Sequence, residues 1–188
     1  MPHAYEIGLF IHLLAVFLLG GATALSFVTF SMMRRAKTVQ EVRVWGGLGR
    51  ILSQYYVLPA TALALVLSGA YLVSKSNSLY DWGASWISWS LLAIIVAVGV
   101  GLGVVTPRMK AAGAAAGQAP DGAVPASIGE MLSDPVLFAA IHGNMMITVA
   151  IIWEMTTKPG SVGAVLAVVI LGGIGAASAI PMYLRQRG

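Results

Sequence analysis

Five apolar segments, each about long enough to cross a membrane as a helix, constrain this chain more than any other feature. A helical crossing of the hydrocarbon core takes about 20 apolar residues. In lipid, every backbone polar group must find a partner within the protein. The sequence therefore predicts an all-α, polytopic membrane helical bundle of about five transmembrane helices, forming one transmembrane domain over residues 1–188. The predicted helices cover about 5–33, 51–73, 86–105, 135–155 and 162–184.

Composition supports a chain whose main partner is the lipid bilayer. Hydrophobic residues make up 58% of the sequence and charged residues only 10%, against about 25% charged residues in a typical soluble domain. The net charge of +4 comes from Lys and Arg at segment ends, so it does not indicate nucleic-acid binding. The chain has no Cys, which excludes iron–sulfur clusters and thiolate metal sites.

The distribution of basic residues predicts the orientation of the bundle. With five spans, nine of the eleven Lys and Arg fall on one side and only Lys75 and Lys158 on the other. Because positive loops stay in the cytoplasm, we expect the N-terminus outside and the C-terminus inside. The cytoplasmic stretch of about 110–133 is rich in Ala, Gly and Pro, which predicts a flexible linker.

Polar residues in the predicted spans align at helical spacing, and polar groups in lipid are costly. We therefore expect three stripes to face one interior between the first, second and fourth helices. They comprise Gly8, His12, Thr23 and Ser26 on the first helix, Arg50, Gln54, Thr61, Ser68 and Lys75 on the second, and Phe138, His142, Met146, Val149 and Trp153 on the fourth.

The candidate ligands for a cofactor or metal are two histidines and two methionines. His12 suits a haem or metal ligand or a proton acceptor, or else a His bonded to Ser or Thr of a neighbouring helix. His142, Met145 and Met146 share a helix face and form a soft donor set for haem iron or Cu(I), although Met also simply fills gaps. From their positions in the spans, the two histidines should differ in depth by roughly 10 Å, too far for one haem.

Other features of the spans have structural interpretations. Glu154 should lie near the outer interface, either reaching toward water or pairing with Lys75 or Lys158. The small-residue pairs Gly99–Gly103 and Gly172–Ala176 predict close helix contacts. No signature of a soluble enzyme is present, so the sequence offers no catalytic residue.

Two segments resemble a group of small bacterial membrane proteins. They are GLFIHLLAVFLLGG at residues 8–21, followed by Arg34 and Arg35, and the stretch from Tyr56 to Gly69 that contains YVLPA. The second is most similar to an uncharacterised family of predicted integral membrane proteins. The group also includes the copper-resistance D family and the HemJ-type protoporphyrinogen oxidases. The resemblance implies a bacterial cytoplasmic (inner) membrane, with haem b or a metal held by His12.

These observations leave three classes of function open for a small integral membrane protein. The first is a haem-binding or redox-associated role through His12. The second is an accessory subunit of a larger membrane complex, held by other membrane subunits through its small-residue faces. The third is a transporter of a metal ion or small solute through the polar interior.

Overall fold

The structure is a computed structural model that describes residues 4–51, 58–76 and 79–187. Within these ranges the chain is almost entirely helical. In chain order the helices are α1 (Ala4–Arg35), α2 (Val39–Arg50), α3 (Leu58–Ser74), α4 (Ser85–Val100), a π-helical segment (Gly101–Val105), α5 (Thr106–Gln118), α6 (Ala126–Leu132), α7 (Pro135–Thr157), α8 (Ser161–Ala177) and α9 (Ile180–Arg187).

Four helical stretches of the described chain are long and apolar enough to cross a membrane, namely Ala4–Arg35, Ser85–Gln118, Ala126–Thr157 and Ser161–Leu184. Each contains one of the predicted spans. The remaining predicted span, 51–73, is covered for the most part by a shorter apolar helix, Ala60–Ser74. Residues 52–57 of that span lie outside the described ranges. The protein is thus a helical membrane bundle.

The bundle is held by apolar contacts among its long helices. Its central cluster joins α1, α3, α4 and α7 through Ala15, Leu65, Ala93, Ile94, Ile147 and Ile151. α8 packs along α7, and α1 contacts both α3 and α7. Large apolar side chains face outward around the bundle, including Phe10, Phe17 and Val162. So much exposed apolar surface is unfavourable in water but matches hydrocarbon.

One end of the bundle carries a layer of shorter helices, and we call it the basic end because Arg34, Arg35 and Arg43 lie there. α2, α5 and α6 bury a shared apolar cluster with the last turn of α1, made of Met33, Val39, Val42, Ala112, Ala116, Ile128 and Leu132. Arg34 of α1 also donates from Nη2 to the Met182 sulfur of α9 at 3.3 Å. The basic segments after the first and third predicted spans and near the C-terminus therefore meet at one end.

The stretch 110–133 differs from its sequence-based prediction as a flexible linker. Most of it forms the remainder of α5 and all of α6, which cover the apolar face of α2. Between them, Val39 N–H donates to Gly122 O at 2.9 Å and Val124 N–H to Lys37 O at 3.2 Å. The content of Ala, Gly and Pro in this stretch predicted a linker. The two helices form nevertheless because they pack against residues that are distant in the sequence.

Local capping explains where several helices begin. Asp134 accepts a hydrogen bond from Val136 N–H at 2.8 Å, and Pro135 occupies the first helical position of α7, as the sequence predicts. At α2, the Thr38 hydroxyl accepts from Glu41 N–H at 3.3 Å while the Glu41 carboxylate accepts from Lys37 N–H at 2.8 Å. The first bond satisfies one of the N–H groups that a helix start leaves open, and the second holds the residue before the N-cap against the first turn.

Candidate functional site

His12 and Ser68 form a buried polar contact between α1 and α3. His12 Nδ1 lies 3.1 Å from the Ser68 hydroxyl oxygen, and that hydroxyl lies 2.5 Å from Ala64 O. Because a carbonyl only accepts, the serine proton points to Ala64 and its lone pair accepts from Nδ1–H. The imidazole is then the tautomer with an unprotonated Nε2. Two of the predicted stripes therefore meet here, as expected.

His12 is tightly packed at this contact. The residue is 9% exposed, and a side-chain Cβ added at Gly69 would approach its ring carbon Cε1 to 3.2 Å. Gly69 therefore lets the imidazole ring approach the backbone of α3. Thr61, which the second stripe places in the interior, is also buried.

His142 lies far from His12. Its Nδ1 is 2.9 Å from Phe138 O, one turn earlier on α7, and its ring centroid is 4.7 Å from that of Phe27 on α1. Phe27 follows His12 by about four turns of α1, which is roughly 22 Å of helix rise. The two histidines therefore occupy separate sites. Met145 and Met146, predicted to act with His142, are half-buried on α7.

The predicted stripe on α7 is only partly interior. Val149 and Trp153 are 43% and 41% exposed. The buried face of this helix instead includes Leu137, Ile147 and Glu154. The stripe was assigned from polar and aromatic residues, but α7 turns its small and aliphatic residues toward α4 and α8.

Glu154 is fully buried rather than directed to the interface. One carboxyl oxygen, Oε2, lies 2.5 Å from the Ser90 hydroxyl of α4, whereas Oε1 has no hydrogen-bond partner among the described residues. Lys158, a predicted partner, instead donates to the Tyr80 hydroxyl at 2.7 Å. Nothing in the sequence singles out Ser90 from Ser88, because serines are common in apolar spans.

A half-open pocket of about 280 Å³ lies between helices of the bundle, and we call it the core cavity. Its wall is largely aliphatic, from residues such as Leu19, Ile94 and Leu102, and part of it is the π-helical segment, a type of backbone irregularity often found at functional sites. Its polar lining side chains are Thr23, Ser26, Thr106, Asn144 and Thr148.

A second cavity of about 550 Å³, the basic cavity, lies between the bundle and the layer of short helices. Its charged lining residues are Arg43, Arg50 and Lys110, and none of its lining residues is acidic. Arg43 pairs with Asp121 at 2.6 Å. Arg50 and Lys110 make no such pair within the described part of the chain and are exposed. The cavity therefore has a positive wall.

The two cavities adjoin each other. Ser26, Val105, Met109 and Ile141 line both of them. A mainly aliphatic pocket with a few polar side chains thus lies next to a cation-lined pocket at the basic end. Sequence reasoning identified Thr23 and Ser26 as interior residues but missed Asn144 and Thr148, whose polar groups in an apolar span were the available signal.

No group of three or more His, Asp or Glu side chains in the described chain is arranged to hold a metal ion. His12 lines neither cavity, and His142 likewise lies outside both lining sets. The predicted cofactor ligands and the cavities are therefore different places in the molecule.

Comparison with known proteins places the chain in a family. No curated protein and no solved structure matches it. The model of a family described as predicted integral membrane protein, DUF2269, matches residues 7–159. This range contains every residue that lines the two cavities. The family match agrees with the resemblance to an uncharacterised family of membrane proteins, and it gives no indication of the copper-resistance D or HemJ families. Since the match covers most of the sequence, the chain belongs to the DUF2269 family of predicted integral membrane proteins.

Proposed function

We propose that this protein binds a small anionic amphiphile, as the loading step of a solute transporter. The observation that carries the proposal is that the core and basic cavities adjoin each other and share four lining residues. An apolar chain suits the aliphatic wall of the core cavity. An acidic headgroup suits Arg50 and Lys110, whose charges have no acidic partner among the described residues.

The same proposal includes five spans, with the N-terminus outside and the basic end in the cytoplasm of a bacterial inner membrane. The nine-to-two distribution of Lys and Arg supports this orientation. The gathering of the basic segments at one end, opposite the contact of Tyr80 with Lys158, supports it independently. The ligand would then enter from the cytoplasm.

Haem binding by His12 remains a prediction to which the geometry gives less support. The unprotonated Nε2 suits a ligand atom. The tight packing of the ring against Gly69, and its absence from both cavity walls, do not fit a haem-sized group. An absorption spectrum of the purified protein tests this, because a Soret band lost in His12→Ala would restore the haem hypothesis. An accessory-subunit role would instead appear as stable co-purifying membrane proteins.

The binding proposal is tested with radiolabelled decanoate and the protein in lipid nanodiscs, with empty nanodiscs subtracted. We expect saturable binding that falls at least tenfold in the double variant Arg50→Ala/Lys110→Ala. The matched control is Arg35→Ala/Lys37→Ala, which removes two exposed charges from the same end outside both cavities. Binding equal to empty nanodiscs, or an equal fall in both variants, would overturn the proposal.

A further inference from the structure

We infer that the ligand of the basic cavity is a single-chain lipid whose headgroup is a phosphate monoester, held between Arg50 and Lys110. The inference rests on the proposed function and names the chemistry of the anionic end of the ligand. It is carried by the position of these two cations on neighbouring helices and by the open space between those helices.

The helices α2 and α5 run in opposite directions along the basic cavity. At the start of α2, Val39 N–H donates to Gly122 O, which lies beyond the end of α5. One turn later on α2, Arg43 Nε donates to Ala116 O, within α5, at 2.8 Å. As the chain of α2 advances, its partners therefore lie earlier in the segment that contains α5.

This antiparallel arrangement brings Arg50 and Lys110 to a similar height. Arg50 follows Arg43 by seven residues and Lys110 precedes Ala116 by six, and at about 1.5 Å per residue these are rises of about 10 and 9 Å. Both residues line the basic cavity. Since the axes of packed helices lie about 8–10 Å apart, the long side chains of Arg50 and Lys110 can reach one headgroup together.

The charges of these two residues are available to a ligand. Arg43, the third cation of the wall, pairs with Asp121 and donates to two backbone carbonyls. Arg50 and Lys110 form no ion pair within the described ranges, and no lining residue is acidic. A carboxylate balances one of these two charges, whereas a phosphate monoester carries about −1.5 to −2 at pH 7 and balances both.

Glycines on both helices leave room for a tetrahedral group. Gly47 of α2 and Gly113 and Gly117 of α5 line the basic cavity, and a Cβ added at any of them would meet nothing within 4 Å in the described chain. Close helix packing therefore does not explain them, although Gly is less favourable than Ala inside a helix. A carboxylate is only the size of a few water molecules, at about 30 Å³ each. The cavity of about 550 Å³ accommodates the larger phosphate headgroup.

The test measures displacement of radiolabelled decanoate from the protein in nanodiscs of zwitterionic phosphatidylcholine, so that no anionic lipid competes. The competitors are decyl phosphate and decyl sulfate, which share chain length and tetrahedral shape but differ in charge. Because the second charge of the phosphate meets a second cation, we expect the wild-type protein to prefer decyl phosphate about tenfold. Inorganic phosphate at the same concentrations should displace nothing, because it lacks the apolar chain.

Two variants, each with a matched control, locate the headgroup. Lys110→Gln leaves one of the two cations, so it should bind decanoate more weakly and lose the preference for phosphate. Lys37→Gln removes an exposed lysine charge at the same end, outside both cavities, and should keep the preference. Gly113→Leu fills the open space and should weaken binding of decyl phosphate about tenfold. Gly129→Leu, where a Cβ also meets nothing within 4 Å, lies outside both cavities and should not.

The outcomes separate this inference from the proposed function. Equal displacement by decyl phosphate and decyl sulfate in the wild-type protein would overturn the inference and leave the proposed function standing. A preference unchanged in Lys110→Gln would overturn it as well. So would displacement by inorganic phosphate as effective as that by decyl phosphate, because the ligand would then be free phosphate. If neither radiolabelled decanoate nor radiolabelled decyl phosphate binds above empty nanodiscs, the proposed function fails too. The wild-type comparison decides the matter even if a variant does not fold.

Discussion

Polar side chains inside this bundle differ in whether their hydrogen bonds stay within one helix or join two. The Thr23, Ser26 and Thr148 hydroxyls bond to carbonyls of their own helix. The contacts His12–Ser68, Ser90–Glu154 and Asn144–Ala97 connect different helices. Only bonds of the second kind depend on how the helices are arranged, so they specify the packing of the bundle.

Loss of the Ser90 hydroxyl should destabilise the protein measurably. In Ser90→Ala, neither carboxyl oxygen of buried Glu154 would retain a donor in the described chain, and we expect a loss of about 1–3 kcal/mol in unfolding free energy. Detergent-based denaturation measures it. The control Ser74→Ala removes an exposed hydroxyl bonded within its own helix and should cost little.

The double variant Ser90→Ala/Glu154→Leu distinguishes an unpaired carboxyl from a simple packing defect. Replacing both partners removes the buried polar group, so the double variant should be more stable than Ser90→Ala alone. A double variant less stable than the single one would contradict this explanation.

At this scale the sequence identified part of the candidate site. His12 and Ser68 were predicted to face the interior because each sits on a stripe with several polar members, and both are buried. Ser90 and Asn144 were missed because neither belongs to one of the three predicted stripes. Their partners are a carboxyl and a carbonyl on another helix, which helical periodicity does not reveal.

Small residues determine how closely individual helices approach. At Gly175 of α8, an added Cβ would lie 2.5 Å from His142 O and 2.9 Å from Gly143 Cα of α7. The predicted pair Gly172–Ala176 lies at this same contact. Gly99 and Gly103, the other predicted pair, would meet nothing within 4 Å, so that pair does not mark a helix contact within the described chain.

Gly175→Ala should therefore force α7 and α8 apart. Because the clash is with backbone atoms, rotamer changes cannot relieve it, and we expect a loss of about 1–3 kcal/mol. Gly173→Ala is the matched control, since its Cβ would meet nothing within 4 Å. Thermal unfolding of the two purified variants checks this, and equal transition temperatures would show that the helices do not pack so closely.

Arg43 should hold the connection between α5 and α6 against α2. Its guanidinium donates to the carbonyls of Ala116 and Ala119 and pairs with Asp121. In Arg43→Ala we expect faster hydrogen exchange in peptides covering 116–124, where Val124 N–H bonds to Lys37. Arg50→Ala removes an equal charge without these bonds and should leave exchange there unchanged. Unaltered exchange in Arg43→Ala would contradict the assignment.

At the scale of elements, the apolar segments were predicted from length and hydrophobicity, which a bilayer demands of each helix separately. α5 and α6 were not predicted, because most of α5 beyond the span is Ala and Gly with little apolar periodicity. Their burial depends on Val39 and Val42 of α2, far away in the chain. Contacts between residues so far apart in the sequence cannot be recognised from the local pattern of either segment.

The described part of the molecule consists of a long-helix bundle with a cap of short helices, α2, α5 and α6, at the basic end. The Lys158–Tyr80 contact lies at the other end, where the connections are short. This asymmetry matches the one-sided distribution of Lys and Arg. The orientation of the protein in the membrane can therefore be tested without an assay for its function.

Reporter fusions test the proposed orientation. A green fluorescent protein fused to the C-terminus should fluoresce, and alkaline phosphatase at the same point should be inactive, because the basic end would lie in the cytoplasm. Phosphatase fused after Asp81, in the α3–α4 connection, should be active. The reverse pattern would invert the topology, and equal signals at both points would contradict an odd number of spans between Asp81 and the C-terminus.

The cap of short helices has a consequence for the order of synthesis. Arg43 and its partner Asp121 are 78 residues apart in the chain, and α2 buries its apolar face only when α5 and α6 exist. At roughly 5–20 residues per second of translation, α5 and α6 are synthesised on the order of ten seconds after α2. During that interval Val39 and Val42 lack their apolar partners on α5 and α6, and the headgroup region of the membrane would be an apolar-compatible environment for them. Ribosome pausing before α6 would prolong this exposed state.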